Sequence, residues 1–532
     1  MRAIIIMALA ASAMAAPAAA QQQQQQVRVE EQSIDQLQAA MAAGSATSEA
    51  ITRAYLARIA AMDRTGPTLR AVIALNPDAL PEARAADARR RAGRRLGPLD
   101  GIPILIKDNI ETKDPVATTA GSLALAANVT HRDAPVVAKL RAAGAVILGK
   151  TNLSEWANIR STRAMSGRSG VGGLVRNPYA FDRTACGSSS GSGAAVAASF
   201  AAAALGTETD GSVVCPSSVN GLVGLKPTIG LVSRTHIVPI SHSQDTAGPM
   251  GRSVRDVAEL FSAMVGSDPA DPATAGADAH RRDYAAALRP GALRGVRIGV
   301  IRPDGMPPHL AAAYDAALAV LKAEGAVLAD VEEPKLEGLG DAEQAVLKTE
   351  LKADLDAYLA TTPPSVKTRT LAEVIAFDDA HAAAEMPYFG QEFFLMAEET
   401  RGLDDPAYKA ARAKSRDLAG RQGIDAMLAK ANAAMLVEPT YGPAWLSDPV
   451  YGDQYNGPSS STLPAVAGYP NLTVPMGLVD GLPAGLSFVG PAFSEAALLA
   501  AGYDYEQASH ARVPPRYLPT ADVGPGMAGA AR

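Results

Sequence analysis

Residues 186–212 read CGSSSGSGAAVAASFAAAALGTETDGS, and the fold turns on this stretch. Gly191 to Ala203 is a run of small residues suited to a tightly packed helix. At 1.5 Å per residue such a helix is about 20 Å long. Ala204 to Thr209 (ALGTET) follows as a strand candidate, and a strand of that length also covers about 20 Å. Helix out and strand back returns Ser212 to the edge where Ser188 precedes the helix. Two serines in glycine-rich turns then share one rim.

The pattern continues on both sides. Upstream, GPLDGIPILIKDNI (residues 97–110) places Lys107 directly after the apolar run Ile102–Ile106. Lys107 is therefore expected at the carboxyl end of a strand, where open α/β sheets hold ligands. Ala71 to Leu75 (AVIAL) reads as a further strand. From Ser48 to Met62 a helical face carries Ile51, Tyr55, Leu56, Ile59 and Met62. A helix from Ala134 to Ala143 precedes the run Ala145–Leu148, and Val296–Ile301 precedes a helix from Leu310 to Glu324. This alternation predicts an α/β chain with a mixed or mostly parallel sheet flanked by helices. Residues 340–434 carry few strand signals and read as a largely helical insertion over the sheet. LTVPMG and GLSFVG, within 470–489, return to strand-like runs.

Composition narrows the function classes. The chain has 532 residues, 48% of them hydrophobic and 20% charged, a balance that supplies a large core. A net charge of −6 gives no basic surface for nucleic acid, which is not expected as a partner. Arg84, Arg89, Arg90, Arg91, Arg94 and Arg95 cluster locally and read as a solvated face.

Residues 1–20 read as a secretory signal peptide: Arg2, an apolar stretch from Ala3 to Ala16, and small residues Ala18, Ala19 and Ala20 before the glutamines. Pro17 and the shortness of the stretch weigh against a membrane anchor. Residues 21–30 form a glutamine-rich flexible lead-in, 31–515 a catalytic domain, and 516–532 a flexible Gly/Ala-rich tail. A periplasmic or secreted protein is the expectation, with no membrane insertion after cleavage. In such a compartment Cys186 and Cys215 either pair or stay as two buried thiols, and the spacing leaves both open.

Lys107, Ser188 and Ser212 can together build a serine nucleophile that needs no histidine. A serine hydroxyl attacks poorly until a neighbouring base takes its proton. Lys107 can be that base, acting through Ser188, only while its amine is neutral. From a reference pKa of about 10.4, neutrality near pH 7.5 costs about 4 kcal/mol unless the site lowers that value. Ile102, Ile104 and Ile106 provide an apolar setting that disfavours the charge. Backbone N–H groups of Thr209, Asp210, Gly211 and Ser212 can form an oxyanion hole. The histidines show no H-E-x-x-H spacing and two cysteines cannot hold structural zinc, so no metal or organic cofactor is expected.

At this point the chain resembles the amidase signature hydrolases. GPLDGIPILIKDNI, TTAGS, AGAVILGKTN, CGSSSGSG, GTETDGS and GLVGLKPT occur in the family's order. The resemblance implies the amidase signature fold, a mixed sheet in an α/β/α arrangement. It also implies a Ser-cisSer-Lys triad with Lys107 as base, Ser188 as relay behind a cis peptide bond, and Ser212 as acyl-enzyme nucleophile. The implied reaction is hydrolysis of carboxamide C–N bonds in small-molecule or peptide amides, releasing ammonia or an amine.

The common family loop reads GTDIGGS, whereas this chain has Glu208, Thr209 and Asp210; the GTETDGS form resembles bacterial amidases that act on peptide C-terminal amides. Cys186 replaces a glycine of the usual GGSS. Asp210 reads as a capping or loop-bracing carboxylate. Tyr441, Trp445, Tyr455 and the loops around 160–180 are candidates for the acyl pocket, and His236 and His242 lie near the signature region.

Three other readings compete. Residues 187–191 also spell G-x-S-x-G with Ser189 central, the elbow of an α/β-hydrolase esterase. That reading lacks a preceding strand and leaves Lys107 unexplained. A non-catalytic periplasmic binding protein has no need of all three polar residues. A tRNA amidotransferase subunit is hard to reconcile with an export signal.

Overall fold

In the computed structural model, which describes residues 27–521, the small-residue stretch folds as a helix and a returning strand, with one change of length. The helix covers Ser190–Ala197, not Gly191 to Ala203, and the strand covers Ala203–Glu208. Ser199 at φ +55° turns the chain away. The Arg252 guanidinium holds the turn by donating to the carbonyls of Val196 (3.1 Å) and Ala201 (2.9 Å). All eight helix residues are buried. Gly191 permits this depth: a Cβ there would lie 2.3 Å from the Asn152 carbonyl oxygen and 2.4 Å from that of Ala71. Residues 1–20, read above as a signal peptide, lie outside the described residues, as do 21–26 of the expected lead-in and 522–532 of the expected tail.

In chain order the strands are β1 (Val72–Leu75), β2 (Pro103–Lys107), β3 (Val146–Thr151), β4 (Arg168–Ser169), β5 (Gly173–Leu174), β6 (Ala203–Glu208) and β7 (Val223–Lys226). Then follow β8 (Thr246–Gly251), β9 (Arg297–Val300), β10 (Val327–Asp330), β11 (Met435–Pro439), β12 (Asn471–Val479) and β13 (Leu482–Val489). β4 and β5 pair only with each other. The rest form an eleven-stranded sheet in the order β1-β3-β2-β6-β8-β7-β12-β13-β11-β9-β10.

The sheet is mixed, as the alternation of apolar runs and helices implied. β2 runs parallel to both β3 and β6, with Ile104 opposite Ile147 on one side and Ala203 on the other. β9 runs parallel to β10 and β11; the other pairs are antiparallel. Because β2 and β6 are parallel neighbours, their carboxyl ends emerge side by side. Lys107 and Glu208 therefore lie on one rim.

Helices cover both faces through apolar stripes. The helix Ser48–Met62 buries Ile51, Tyr55 and Ile59, while Leu56 and Met62 are only partly covered. Between Leu339 and Ala431 the chain is helical without a strand among the described residues. Leu347, Leu351, Phe393 and Phe394 of that segment pack with Trp156, Val238 and Ile240 beside the rim. Trp156 meets Phe394 edge-on at 5.8 Å. Each such buried side chain contributes about 1.5–3 kcal/mol, so the segment is firmly seated. No helix of the described residues is long and apolar enough to cross a membrane.

Candidate active site

Lys107 closes β2, and its side chain is fully buried. Its Nζ lies 2.7 Å from Ser188 Oγ, 2.8 Å from Thr207 Oγ1 and 3.3 Å from the Thr207 carbonyl oxygen. No carboxylate is bonded to it. Burial pushes its pKa down to about 7, against the weaker pull of Asp245 and Glu208. A neutral amine has two N–H donors and one lone pair. The Thr207 carbonyl can only accept, and Thr207 Oγ1 also receives Asn109 Nδ2 at 3.0 Å. A neutral amine that gives both hydrogens to Thr207 keeps its lone pair for the Ser188 hydroxyl. That is the orientation of a proton acceptor.

Ser188 sits behind a cis Gly187–Ser188 peptide bond, and its carbonyl accepts from Ser154 N–H at 3.0 Å. Ser189 N–H donates to the Ser212 carbonyl at 3.2 Å. Cys186 and Cys215 are bonded in a disulfide with a Cα separation of 6.0 Å, which settles the open choice between bridge and free thiols. Ser188 and Ser212 thus stand in two turns joined by a covalent link and a backbone hydrogen bond.

Ser189 itself is fully buried. Its hydroxyl donates to the Thr207 carbonyl (3.1 Å) and accepts from Thr207 N–H (3.2 Å). It braces β6 and faces no cleft, contrary to the elbow reading.

The turn after β6 is built around glycine. Gly211 adopts φ +80°, and a Cβ there would lie 2.5 Å from the Tyr441 hydroxyl. Glu208 accepts from Val213 N–H at 2.7 Å and Val214 N–H at 3.0 Å. Among the described residues no protein group accepts from the N–H groups of Asp210, Gly211 or Ser212. Donors left unclaimed beside a serine can receive a developing oxyanion.

Ser212 lines a cleft of about 280 Å³. Ile159, Ile240, Leu347, Tyr441, Trp445 and Tyr455 supply most of its apolar wall, and Ser166 and Asp453 add polar groups. The three aromatic residues singled out from sequence meet here, with Tyr455 packed against both Tyr441 and Trp445. Asp453 accepts from Trp445 Nε1 (2.9 Å) and Ser166 Oγ (2.6 Å), which fixes that wall.

A second cavity, of about 390 Å³, adjoins the lysine side and is lined by Asn109, Thr207, His236, His242 and Asp245. The two histidines therefore lie on this neighbour and not in the cleft of Ser212. His242, Glu350 and Asp354 come within 4.8 Å of one another. Glu350 already accepts from Ser241 Oγ, both donors of Ser243, and Tyr408 OH, so its oxygens are satisfied by protein donors.

Sequence reasoning gave no role to Thr207 or Asn109, although both lie inside quoted motifs. It also missed Asp245, which accepts from Thr209 Oγ1 at 2.6 Å and whose pKa burial raises to about 6.

The profile of the Amidase family matches residues 50–499. The chain belongs to the amidase signature family. This amidase is similar to the native peptide amidase from Stenotrophomonas maltophilia, with 52% identity and a TM-score of 0.86 over 92% of this chain and 99% of that one. It is equally similar, at 52% identity and a TM-score of 0.87 over the same shares, to peptide amidase PAM in complex with the competitive inhibitor chymostatin. A probable amidase of Arabidopsis thaliana is 38% identical over 501 residues, 92% of each chain.

Proposed function

We propose that this amidase hydrolyses the C-terminal carboxamides of peptides through Ser212, Ser188 and Lys107. The observation that carries the chemistry is the buried Lys107 amine, 2.7 Å from Ser188 and bonded to no carboxylate. The likeness to peptide amidases over nearly the whole chain supports the substrate class.

Ser212 Oγ attacks the carboxamide carbon and forms the C–O bond. Its proton passes to Ser188, whose own proton passes to Lys107. The tetrahedral oxyanion is held by the amides of residues 209–212. As the C–N bond breaks, Lys107 returns the proton through Ser188 and ammonia leaves. Water then attacks the acyl-enzyme by the same relay, freeing the acid and Ser212. No step uses a metal or organic cofactor.

We place the mature protein in a periplasm or outside the cell. The signal-like residues 1–20 and the Cys186–Cys215 bridge support that placement. The test is ammonia release by the purified mature protein from paired peptide amides and simple alkyl or aryl amides. Preference for peptide amides is expected; turnover confined to simple amides would overturn the substrate class.

A further inference from the structure

Asp210 lies inside the turn that carries Ser212, and the chemistry above assigns it only a backbone N–H. Its Oδ2 accepts from Thr462 Oγ1 at 2.9 Å. Its Oδ1 is sealed from solvent and meets no protein N–H or O–H donor. The carboxyl of Glu343, a buried residue of the helix Leu339–Leu359, acts directly on this one, and burial pushes both toward their protonated forms. Glu343 Oε1 in turn accepts from Gln244 Nε2 at 2.9 Å, and that amide also reaches the Thr209 carbonyl at 3.4 Å.

Two carboxylates in contact repel, and a hydrogen bond between them needs a proton on one. The surroundings offer little compensating charge. Lys226 on β7 is the cation acting on Asp210, and it is shared with Glu208 and Glu495. Tyr441 faces the pair from beyond β11, Thr462 from the first position of the helix Thr462–Ala467, Ser461 from just before it, and Gln244 from the segment before β8.

We infer that Asp210 and Glu343 share one proton, and that this proton latches the 209–212 turn to the helix Leu339–Leu359. The inference rests on the proposed role of that turn as the oxyanion site. Both residues are positioning residues and touch no reacting atom. Loss of the proton sets two negative charges against each other directly beneath the amides. Burial and the neighbouring Asp210 hold the Glu343 carboxyl protonated up to about 8. Lys107 becomes a base only above about 7. The two requirements set an acid limb and an alkaline limb on the activity.

The experiment measures kcat and KM on a peptide amide from about pH 6 to about pH 10 for wild type, Glu343→Gln and Asp210→Asn. Wild-type kcat is expected to rise through about 7 and to fall above about 8, with the fall in kcat and not in KM. Either amide variant keeps one N–H···O bond between the pair at every pH. Both therefore keep the acid limb and lose the alkaline one.

An alkaline fall retained in the variants belongs to another group, such as Lys226, which burial holds down to about 8, and overturns the inference. A wild type without the fall does the same. Should the variants not fold, infrared difference spectra of the wild type between about pH 7 and about pH 9.5 decide. Loss of a protonated-carboxyl C=O band supports the latch where the loss persists in Glu259→Gln, which removes another carboxyl that burial raises to about 8, and no such loss rejects it. That spectrum needs no substrate, so it stands even where no peptide amide is hydrolysed and the substrate reading alone has failed.

Discussion

Ser189 N–H donates to the carbonyl of Ser212, so the turn holding Ser188 and the turn holding Ser212 are tied directly to each other. Lys107 arrives separately, from β2, and meets Ser188 at 2.7 Å.

Adjacent serines are expected to behave differently. Ser212→Ala should lower kcat for amide hydrolysis by about four orders of magnitude or more, since the acyl-enzyme can no longer form. Ser189→Ala removes a buried hydroxyl that braces Thr207 and should cost about 1–2 kcal/mol of stability. Its kcat should stay within about tenfold of wild type. Steady-state rates and urea unfolding of the two variants make the comparison. A Ser189 variant as inactive as the Ser212 variant, yet stably folded, would restore the elbow reading.

The acid side of the pH profile should report Lys107. Activity needs the neutral amine, so kcat/KM is expected to rise with pH through about 7, ahead of the alkaline fall above about 8. Lys107→Arg keeps a cation that cannot deprotonate in this range, and should lose at least about a thousandfold in rate at every pH.

Stability should follow the same proton with a definite sign. In the unfolded chain Lys107 holds its proton up to about 10.4, and in the fold only up to about 7. Between these values the unfolded state binds more protons, so wild-type stability gains from this residue as pH rises. Below about 7 the penalty is constant and largest. Lys107→Met has no such term. Urea unfolding at about pH 7 and about pH 9.5 should show wild type gaining on the variant, by roughly 2–3 kcal/mol. A constant difference across that range would contradict a buried amine with a lowered pKa.

Reduction should matter beyond ordinary cross-linking. The Cys186–Cys215 bridge closes a loop of 29 residues, worth about 3–4 kcal/mol by chain entropy. It also holds the two serine turns together. Cys186→Ser with Cys215→Ser is expected to lower Tm by several degrees, and kcat by about tenfold even where the variant is fully folded. Thermal unfolding and rates below the new Tm separate the two effects.

The strands of the site could be read from sequence because apolar runs such as Ile102–Ile106 are short and bounded by turn residues. The shared edge of Ser188 and Ser212 followed from the length of chain between them, whereas the parallel pairing of β2 with β6 emerged only in the fold. The helix end at Ala197 could not be read: Ser199 turns the chain there, and Arg252, which holds that turn, is remote in sequence. Thr207 was visible only as a member of the strand candidate Ala204 to Thr209, since its role as partner of Lys107 arises from the pairing of that strand with β2. Asp210 read as a brace, but its partner Glu343 lies more than a hundred residues away in the helical segment. The fate of the cysteines depended on how closely two turns approach, which spacing alone leaves open. His236 and His242 were near the signature in sequence, yet they line the neighbouring cavity, which shares Ala157, Thr209 and Ile240 with the cleft of Ser212.

The helical segment from Leu339 to Ala431 gives Leu347 to the cleft wall but none of Lys107, Ser188 and Ser212. A reshaped wall at Leu347 can admit a bulkier acyl group while the hydroxyl pair and its amine stay untouched, whereas a change at Glu343, one turn earlier on the same helix, reaches the reaction itself. Redesign of substrate range has an open door on that helix and a closed one beside it.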